Sequence, residues 1–337
     1  MKALVTGATG FIGSHLVDRL LEEDDTVRAL VRPSSDVSYL RERSVELVSG
    51  DITDPASLPA AVAGVDVVYH TAATVSDWGP WRDFEAVTIE GTRNVLEAAA
   101  GAGVPRFLHV STDGVYAHRY LGKRTTEETP LETRFAWWDY YRRSKVAAER
   151  LAWRYHADGR PAVTVVRPGV VLGERDRATQ PGVVAYLRSK GATYLGNGHN
   201  RLPYVYAGDV AALCRLAATE GGAAGQAYNA VSQETVTQRE LFAAAAEEAG
   251  LEPPRRGVPL TLAYGAALAM EVVNVLGGRR TRPSLTRMAV TMVGGDYLED
   301  AGKGERELRW RAETPMREAV RRAAEWERAA QQQAASG

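Results

Sequence analysis

Residues 1–31, MKALVTGATGFIGSHLVDRLLEEDDTVRALV, constrain the fold of this chain more than any other stretch. A short apolar run over 2–5 stops at Thr6-Gly7. A helical pattern follows over 11–21, with Ile12, Leu16, Leu20 and Leu21 on one side, and 26–31 (TVRALV) reads as a second strand. Two buried strands around one helix in about thirty residues make a βαβ unit. The glycines of Thr6-Gly7-Ala8-Thr9-Gly10-Phe11-Ile12-Gly13 fall at the turn between strand and helix. Backbone there can approach a pyrophosphate closely, and the helix N-terminus offers free N–H groups and the positive end of its dipole. Gly7, Thr9, Gly10, Phe11, Ile12 and Gly13 are therefore the expected cradle of a dinucleotide.

The alternation continues, with strands expected at 45–48, 65–70, 107–111 and 162–167 and helices at 54–63, 84–100 and 140–156. This predicts an α/β, Rossmann-type doubly wound, mostly parallel sheet covered on both faces. Beyond about residue 170 the pattern loosens, and 205–206, 209–218 and 227–230 read as a last return to the sheet. Helices dominate from 238 onward. The expected organisation is a dinucleotide-binding domain over 1–170 with about 204–230, and a smaller, discontinuous, mainly helical substrate domain over about 171–203 and 231–330. Residues 331–337 (QQQAASG) read as a frayed tail. At 337 residues, two domains sharing one cleft is a natural arrangement. The apolar stretch 258–276 is interrupted by Glu271 and Asn274 and weakened by Gly265. It reads first as a buried or lid helix, and second as a monotopic contact with membrane or a greasy substrate.

Composition excludes several function classes. A net charge of -1 leaves no basic excess to neutralise a run of phosphates, so nucleic acid is not expected as a partner. The single cysteine, Cys214, excludes a disulfide framework and a cysteine metal cluster, and reads as core. The six histidines are scattered, so no metal is expected, and His70 and His109 read as satisfied structural residues. No G-x-S-x-G elbow of a serine hydrolase is present. The N-terminus lacks the apolar core and cleavage site of a signal peptide, so the expected location is the cytoplasm.

The end of the second strand reports on the dinucleotide. It reads Leu30-Val31-Arg32, without the acid that binds the ribose 2′-hydroxyl of NAD. Arg32 can pair with a 2′-phosphate, with Arg28 on the same strand and Ser34 and Ser35 as further donors. NADP(H) is the expected cofactor and NAD(H) the alternative. Asp51-Ile52 and Thr71-Ala72-Ala73 follow the third and fourth strands, at the strand ends where ligands bind in open α/β sheets. Asp51 can accept from an adenine amino group or serve as a turn residue. Ala72 and Ala73 are small enough for a cofactor to lie against backbone.

Tyr141 and Lys145 stand four apart, on one helical face. A phenol titrates near ~10, and a neighbouring ammonium lowers that value, making the pair a proton donor to a carbonyl becoming an alcohol. Ser111-Thr112 ends the preceding strand and offers a hydroxyl to hold the substrate oxygen.

TGATGFIG, the HVSTDGVY stretch over 109–116 and YRRSK over 141–145 resemble, in order and spacing, the extended short-chain dehydrogenase/reductases over almost the whole chain. The resemblance implies Tyr141 as acid–base, Lys145 as the residue that lowers its pKa and binds the nicotinamide ribose, and Thr112 rather than Ser111 as the hydroxyl partner. Tyr140 is out of register, because its fourth successor is Ser144. Thr112-Asp113-Gly114 lacks the glutamate of the sugar-nucleotide dehydratases, Val170 replaces the asparagine that holds a substrate diphosphate, and Thr88 replaces the asparagine of the N-x-x-G-T helix. RPGVV over 167–171, Arg32 in VRALVR, Trp78-Gly79-Pro80-Trp81 and the 258–276 helix resemble the 3β-hydroxysteroid dehydrogenase-like and dihydroflavonol reductase-like branch. That branch implies an NADP-linked ketone/alcohol oxidoreductase acting on an apolar or aromatic small molecule. Pro168, Val170 and Val171 are then expected along the cofactor, and Trp78, Trp81, Asp113, Trp138 and Tyr204 along the substrate, with Trp137 and Tyr206 nearby. A homodimer through helices 85–100 and 140–156 is a family-level expectation. The alternatives are a nucleotide-sugar epimerase or dehydratase with tightly held NAD, and a non-catalytic dinucleotide sensor.

Overall fold

Seven apolar runs assemble into one sheet in the computed structural model, which describes residues 1–278 and 281–336. The strands are β1 (Lys2–Thr6), β2 (Thr26–Val31), β3 (Val45–Ser49), β4 (Val67–His70), β5 (Arg106–Val110), β6 (Ala162–Pro168) and β7 (Ala227–Ala230). Their order is β7-β6-β5-β4-β1-β2-β3, and every pairing is parallel. Parallel strands need helical crossovers, which cover both faces and make the strands apolar on both sides. The core shows this residue by residue. Ala3 and Val5 pack with Leu16 and Leu20 of α1 (Phe11–Glu22), whereas Leu4 between them packs with Leu96 of α2 (Gly91–Gly101) and Leu151 of α3 (Tyr140–Ala157). The strand order reverses between β1 and β4, so a crevice opens at the carboxyl ends of these two strands.

The later part of the chain adds α4 (Thr179–Arg188), α5 (Ala207–Thr219), α6 (Gln238–Ala249), α7 (Leu260–Leu276), α8 (Arg287–Gly294) and α9 (Met316–Ser336). α5 packs on α1 beneath the sheet. α6 and α9 pack together over a separate cluster that includes Tyr204, Phe242 and Val320.

Several expectations are corrected. The helix expected over 54–63 splits into a 3-10 turn, Pro55–Ser57, and a short helix, Pro59–Val62. Each piece starts on a proline, which has no N–H to continue a preceding turn. The helix expected over 84–100 is present, but its first half, Glu85–Glu90, is π-helical. Of the segments expected to return to the sheet, only 227–230 does; Tyr204–Tyr206 pairs with Val170–Leu172 in its own two-stranded ribbon. The tail expected to fray is the last turns of α9, whose backbone stays helical to Ser336 because Gln and Ala are good helix formers.

The largest correction concerns 258–276. The helix forms as α7 but is not buried: only Ala263, Ala267, Glu271 and Asn274 are covered. Glu271 takes the Arg287 backbone N–H and its guanidinium at 2.7 and 2.6 Å, and Asn274 donates to the Thr281 carbonyl at 2.7 Å. The small and polar residues thus face the protein, and the large apolar ones face outward. No helix among the described residues is long and apolar enough to cross a membrane.

Candidate active site

The Gly-rich turn lies at the crevice between β1 and β4. Gly7 has φ +74°, and a Cβ there would sit 2.6 Å from Thr71 Oγ1 and 2.8 Å from the Ala72 nitrogen. A Cβ on Gly13 would stand 2.1 Å from the Gly7 carbonyl oxygen. Both positions therefore require glycine, one for its dihedral and one for its close approach. Thr71 braces the turn by donating to the Thr6 carbonyl at 2.8 Å. Gly10 caps α1 without a side-chain bond, so the first N–H groups of the helix, from Phe11 to Gly13, are free for an anion. Thr9 and Gly10 are exposed and Ala72 and Ala73 half-buried, which leaves the approach open. The residues present fit a dinucleotide pyrophosphate.

At the neighbouring strand ends, Arg32 is exposed, and its side chain has no partner among the described residues. Arg28, expected beside it, is not available: it is buried, donates to the carbonyls of Ala60, Ala61 and Ala63, and pairs with Glu46. Arg28 lies four residues short of Arg32, well below the strand tip and against the 59–62 helix. One Asp51 oxygen accepts from the Thr53 N–H and hydroxyl, both at 2.8 Å, so the residue makes a turn. Ile52 is buried, and its carbonyl accepts from Asn94. Pro168 ends β6 and Val171 follows in the ribbon beside it.

The catalytic candidates converge one strand further along. Lys145 is buried in α3 and donates to the Val110 carbonyl, the last residue of β5, at 2.6 Å. Tyr141, one turn earlier, lines one cavity with Thr112, whose hydroxyl donates to Asp113 at 3.0 Å and accepts from the Gly114 N–H at 3.2 Å. Ser111 faces the other way and donates to Glu149 at 2.5 Å. Burial pushes the Tyr141 phenol up to about 12, with the Asp113 charge adding to the rise and the Thr112 hydroxyl opposing it. The expected depression by Lys145 is therefore not a property of the chain alone. Burial holds the Lys145 ammonium down at about 8, against the pull of Glu149.

Thr112, Asp113, Tyr141, Trp138 and Val170 line one cavity. Much of the remaining wall comes from residues the sequence reading missed, among them His118, Arg142, Met288, Met292, Tyr297 and Glu299. Met288 and Met292 belong to α8, and Glu299 arrives on a two-residue strand, Leu298–Glu299, parallel to Arg124–Thr125. No local motif marks that approach, because it brings together segments more than 150 residues apart.

Other candidates lie outside the cavity lining. Tyr204 is core, its hydroxyl donating to the Thr314 carbonyl at 2.7 Å, and Tyr206 binds Glu174 and Arg322. Trp81 packs edge-on against Tyr140 beneath the Arg143 guanidinium. Trp78 is half-buried beside Ser76, and Trp137 is 72% exposed.

The cavity is acidic. Arg142 is its one buried cation, and it is committed to the Gly114 carbonyl (2.6 Å), Asp139 (2.8 Å) and the Tyr116 carbonyl (2.7 Å). Glu299 Oε2 is buried with no hydrogen-bond partner. Burial and the neighbouring Asp113 raise the Glu299 carboxyl to about 8, and burial raises Asp113 to about 6.

Two buried networks hold this geometry. Thr6, His70, Thr92 and Thr88 form a chain of bonds, and the Thr88 hydroxyl accepts from the Thr74 N–H at 3.0 Å. Thr88 thereby ties the segment after β4 to the helix, from the position where the family pattern has asparagine. Glu149 binds Arg167 at 2.5 Å, and Arg167 also donates to Tyr116. His70 is satisfied as expected, but both ring nitrogens of His109 lack partners, and the ring stacks on His70 with centroids 5.8 Å apart. Burial keeps the His109 ring uncharged, and it fills space between β4 and β5.

A doubly wound parallel sheet, a glycine cradle at its switch point, and a half-buried tyrosine one helical turn before a buried lysine at the next strand ends define an enzyme of the extended short-chain dehydrogenase/reductase type. The model of the NAD dependent epimerase/dehydratase family matches residues 3–230, and the chain belongs to that family. It is similar to a putative dihydroflavonol 4-reductase of Synechocystis, 32% identical over 315 residues, which are 90% of this chain and 88% of that protein. It is also similar to a 4-hydroxy-2-methyl-3-oxo-4-farnesyl-3,4-dihydroquinoline-1-oxide ketoreductase of Stigmatella aurantiaca, 30% identical over 312 residues, 91% of each chain. Among solved structures, that of gox2253 superposes with a TM-score of 0.80 at 30% identity, covering 97% of this chain and 98% of that one.

Proposed function

We infer that the protein is an NADPH-dependent reductase, reversible as a dehydrogenase, that interconverts a ketone and a secondary alcohol on an uncharged apolar or aromatic small molecule. The observation that carries this reading is the placing of the Thr112 and Tyr141 hydroxyls in the wall of one cavity, which Trp138, Tyr297, Met288 and Met292 also line. Relatives named as ketoreductase and dihydroflavonol reductase agree with it. Phe11 to Gly13 and the Gly7 turn would hold the pyrophosphate, and Arg32 a 2′-phosphate. The bound nicotinamide supplies or takes the hydride.

The chain's own residues do the rest. Thr112 and Tyr141 donate to the substrate oxygen as negative charge grows on it. Tyr141 then gives up its proton. A phenol held near 12 stays protonated at neutral pH, which suits a donor in the reductive direction. Lys145, fixed on the Val110 carbonyl, keeps a positive charge one helical turn below. A nucleotide sugar suits the cavity poorly: Arg142 is fully committed, Val170 cannot hydrogen-bond a diphosphate, and the Asp113 carboxylate lines the same wall.

The test follows absorbance loss of NADPH, and of NADH in parallel, with 3-ketosteroids, dihydroflavonols, β-keto acids with their esters, and aryl ketones. The expected result is turnover with NADPH, better with esters than with acids, and absent in Tyr141→Phe. Arg32→Asp is expected to raise the KM for NADPH and spare NADH. Silence across the panel with NAD retained in the purified protein would favour epimerisation, and silence with NADPH bound would favour a sensor.

A further inference from the structure

We propose that Thr125 and Glu299 form a polar subsite in the wall of the cavity that binds a hydroxyl group of the substrate, so that the substrate is a hydroxyketone, or the matching diol, rather than a plain hydrocarbon ketone. The substrate class rests on the reductase reading; the subsite itself does not. Among the described residues, nine buried side-chain polar atoms have no hydrogen-bond partner. Three of the nine belong to residues that line this one cavity: Thr125 Oγ1, Glu299 Oε2 and Asp139 Oδ1. Asp139 is held by Arg142 at 2.8 Å through its other oxygen. Thr125 is only 4% exposed, and its hydroxyl makes no bond. A buried hydroxyl without a partner costs stability. Two such atoms beside one cavity fit a group that enters the cavity and bonds to both.

The fold holds the two residues together before anything binds. Glu299 and Thr125 are register partners in the parallel ribbon of Leu298–Glu299 with Arg124–Thr125. Register partners on neighbouring strands present their side chains to the same face. The ribbon is clamped on both sides of the pair. The Asp300 N–H donates to the Thr125 carbonyl at 2.8 Å, Arg124 pairs with Asp300 at 2.5 Å, and the Gly122 N–H donates to the Asp296 carbonyl at 2.7 Å. A subsite fixed in this way pays little to become ordered on binding.

The chemistry of the pair selects the group. A hydroxyl donates and accepts at once, so it satisfies both atoms whichever of them carries the donated proton. An ether or second carbonyl oxygen only accepts. An ammonium group would be set against Arg142, which lines the same cavity, and a carboxylate against Asp113 and Asp139. Burial and the neighbouring Asp113 hold Glu299 up at about 8, so it keeps its proton at neutral pH and adds no charge. Leu121, Met288 and Leu298 give the same cavity apolar wall. The matching substrate has an apolar body and two oxygen functions, a carbonyl for Thr112 and Tyr141 and a hydroxyl for Thr125 and Glu299.

The experiment measures dissociation constants by calorimetry and initial rates with NADPH, both on the full chain. The probes are methyl ketones bearing an aryl group on chains of increasing length, each as the phenol, its methyl ether and the unsubstituted arene, together with 3-ketosteroids with and without a ring-D hydroxyl. On the skeleton that fits best, the hydroxyl form should bind about ten- to a hundredfold more tightly than the form lacking it. T125V/E299L should bring the two forms to near-equal affinity while the unsubstituted form binds as before. Thr125→Val alone should weaken the preference and leave the thermal melt unchanged or raised, because it removes a buried hydroxyl that has no partner. Glu299→Gln keeps a neutral donor and acceptor and should retain the preference. Equal affinity, or none, for hydroxylated, methylated and unsubstituted probes overturns the proposal, as does a preference that T125V/E299L leaves intact. Preference in binding without turnover keeps the subsite and removes the reductase reading; turnover without preference does the reverse.

Discussion

α3 and α7 are nearly equal in length, 18 and 17 residues, and opposite in construction. α3 buries Arg142, Lys145 and Glu149, and each has an oriented partner: Asp139 and two carbonyls, the Val110 carbonyl, and Arg167 with Ser111. α7 buries two alanines and a paired Glu271 and leaves its leucines and valines outside. Burial along these helices follows what each face has to meet, not how apolar each residue is. A charge is tolerated inside when its partners are already fixed by a sheet. A leucine stays outside when the packed stripe has room only for alanine.

The comparison can be broken at its strongest point first. Tyr141→Phe should lower kcat by about 10²- to 10⁴-fold with the thermal melt unchanged, as removal of a positioned proton donor does. A variant that keeps the parent rate would remove α3 from the chemistry. Next, Glu149→Ala leaves Arg167 buried and unpaired, and should cost about 3–5 kcal/mol in chemical denaturation. A loss below about 1 kcal/mol would mean that the network is ornamental to stability.

Smaller effects sharpen the contrast. The Glu299 carboxyl is raised to about 8 in the fold, from an ordinary value of 4.5. An acid raised in this way contributes stability that is present below about 4.5 and lost as pH climbs through about 8. The urea midpoint should therefore fall across that window, and Glu299→Gln should flatten the fall; Asp113, raised to about 6, ionises within the same range. Equal slopes in parent and variant would count against the burial of Glu299. Smallest of all, Val273→Glu on the outer face of α7 should change stability by no more than about 0.5 kcal/mol. A larger loss would show that this face packs against something in solution.

Much of the first half was legible in the chain. TGATGFIG between a strand and a helix was enough to place the cradle, since a side chain at Gly7 would meet Thr71 at 2.6 Å and one at Gly13 the Gly7 carbonyl at 2.1 Å. Tyr141 and Lys145, four apart, had to share a helical face. Arg28 shows where the reading stopped: an arginine on the correct strand was consumed by the carbonyls of another segment. Tyr204 shows it too, an aromatic near the cleft in sequence but inside the core in space. His109, read as satisfied, has two unpartnered nitrogens, which strand position could not show.

The sequence by itself determined the parallel sheet, the glycine cradle and the tyrosine–lysine spacing, because these depend on local periodicity, glycine dihedrals and spacing within one helix. Only the tertiary structure decided the cavity wall and the outer face of α7. Glu299 meets Asp113 because a two-residue strand pairs with Arg124–Thr125, 174 positions away, and α7 turns outward because Glu271 finds Arg287. Those choices rest on contacts between distant segments, and nothing in a local pattern encodes which distant partner will arrive.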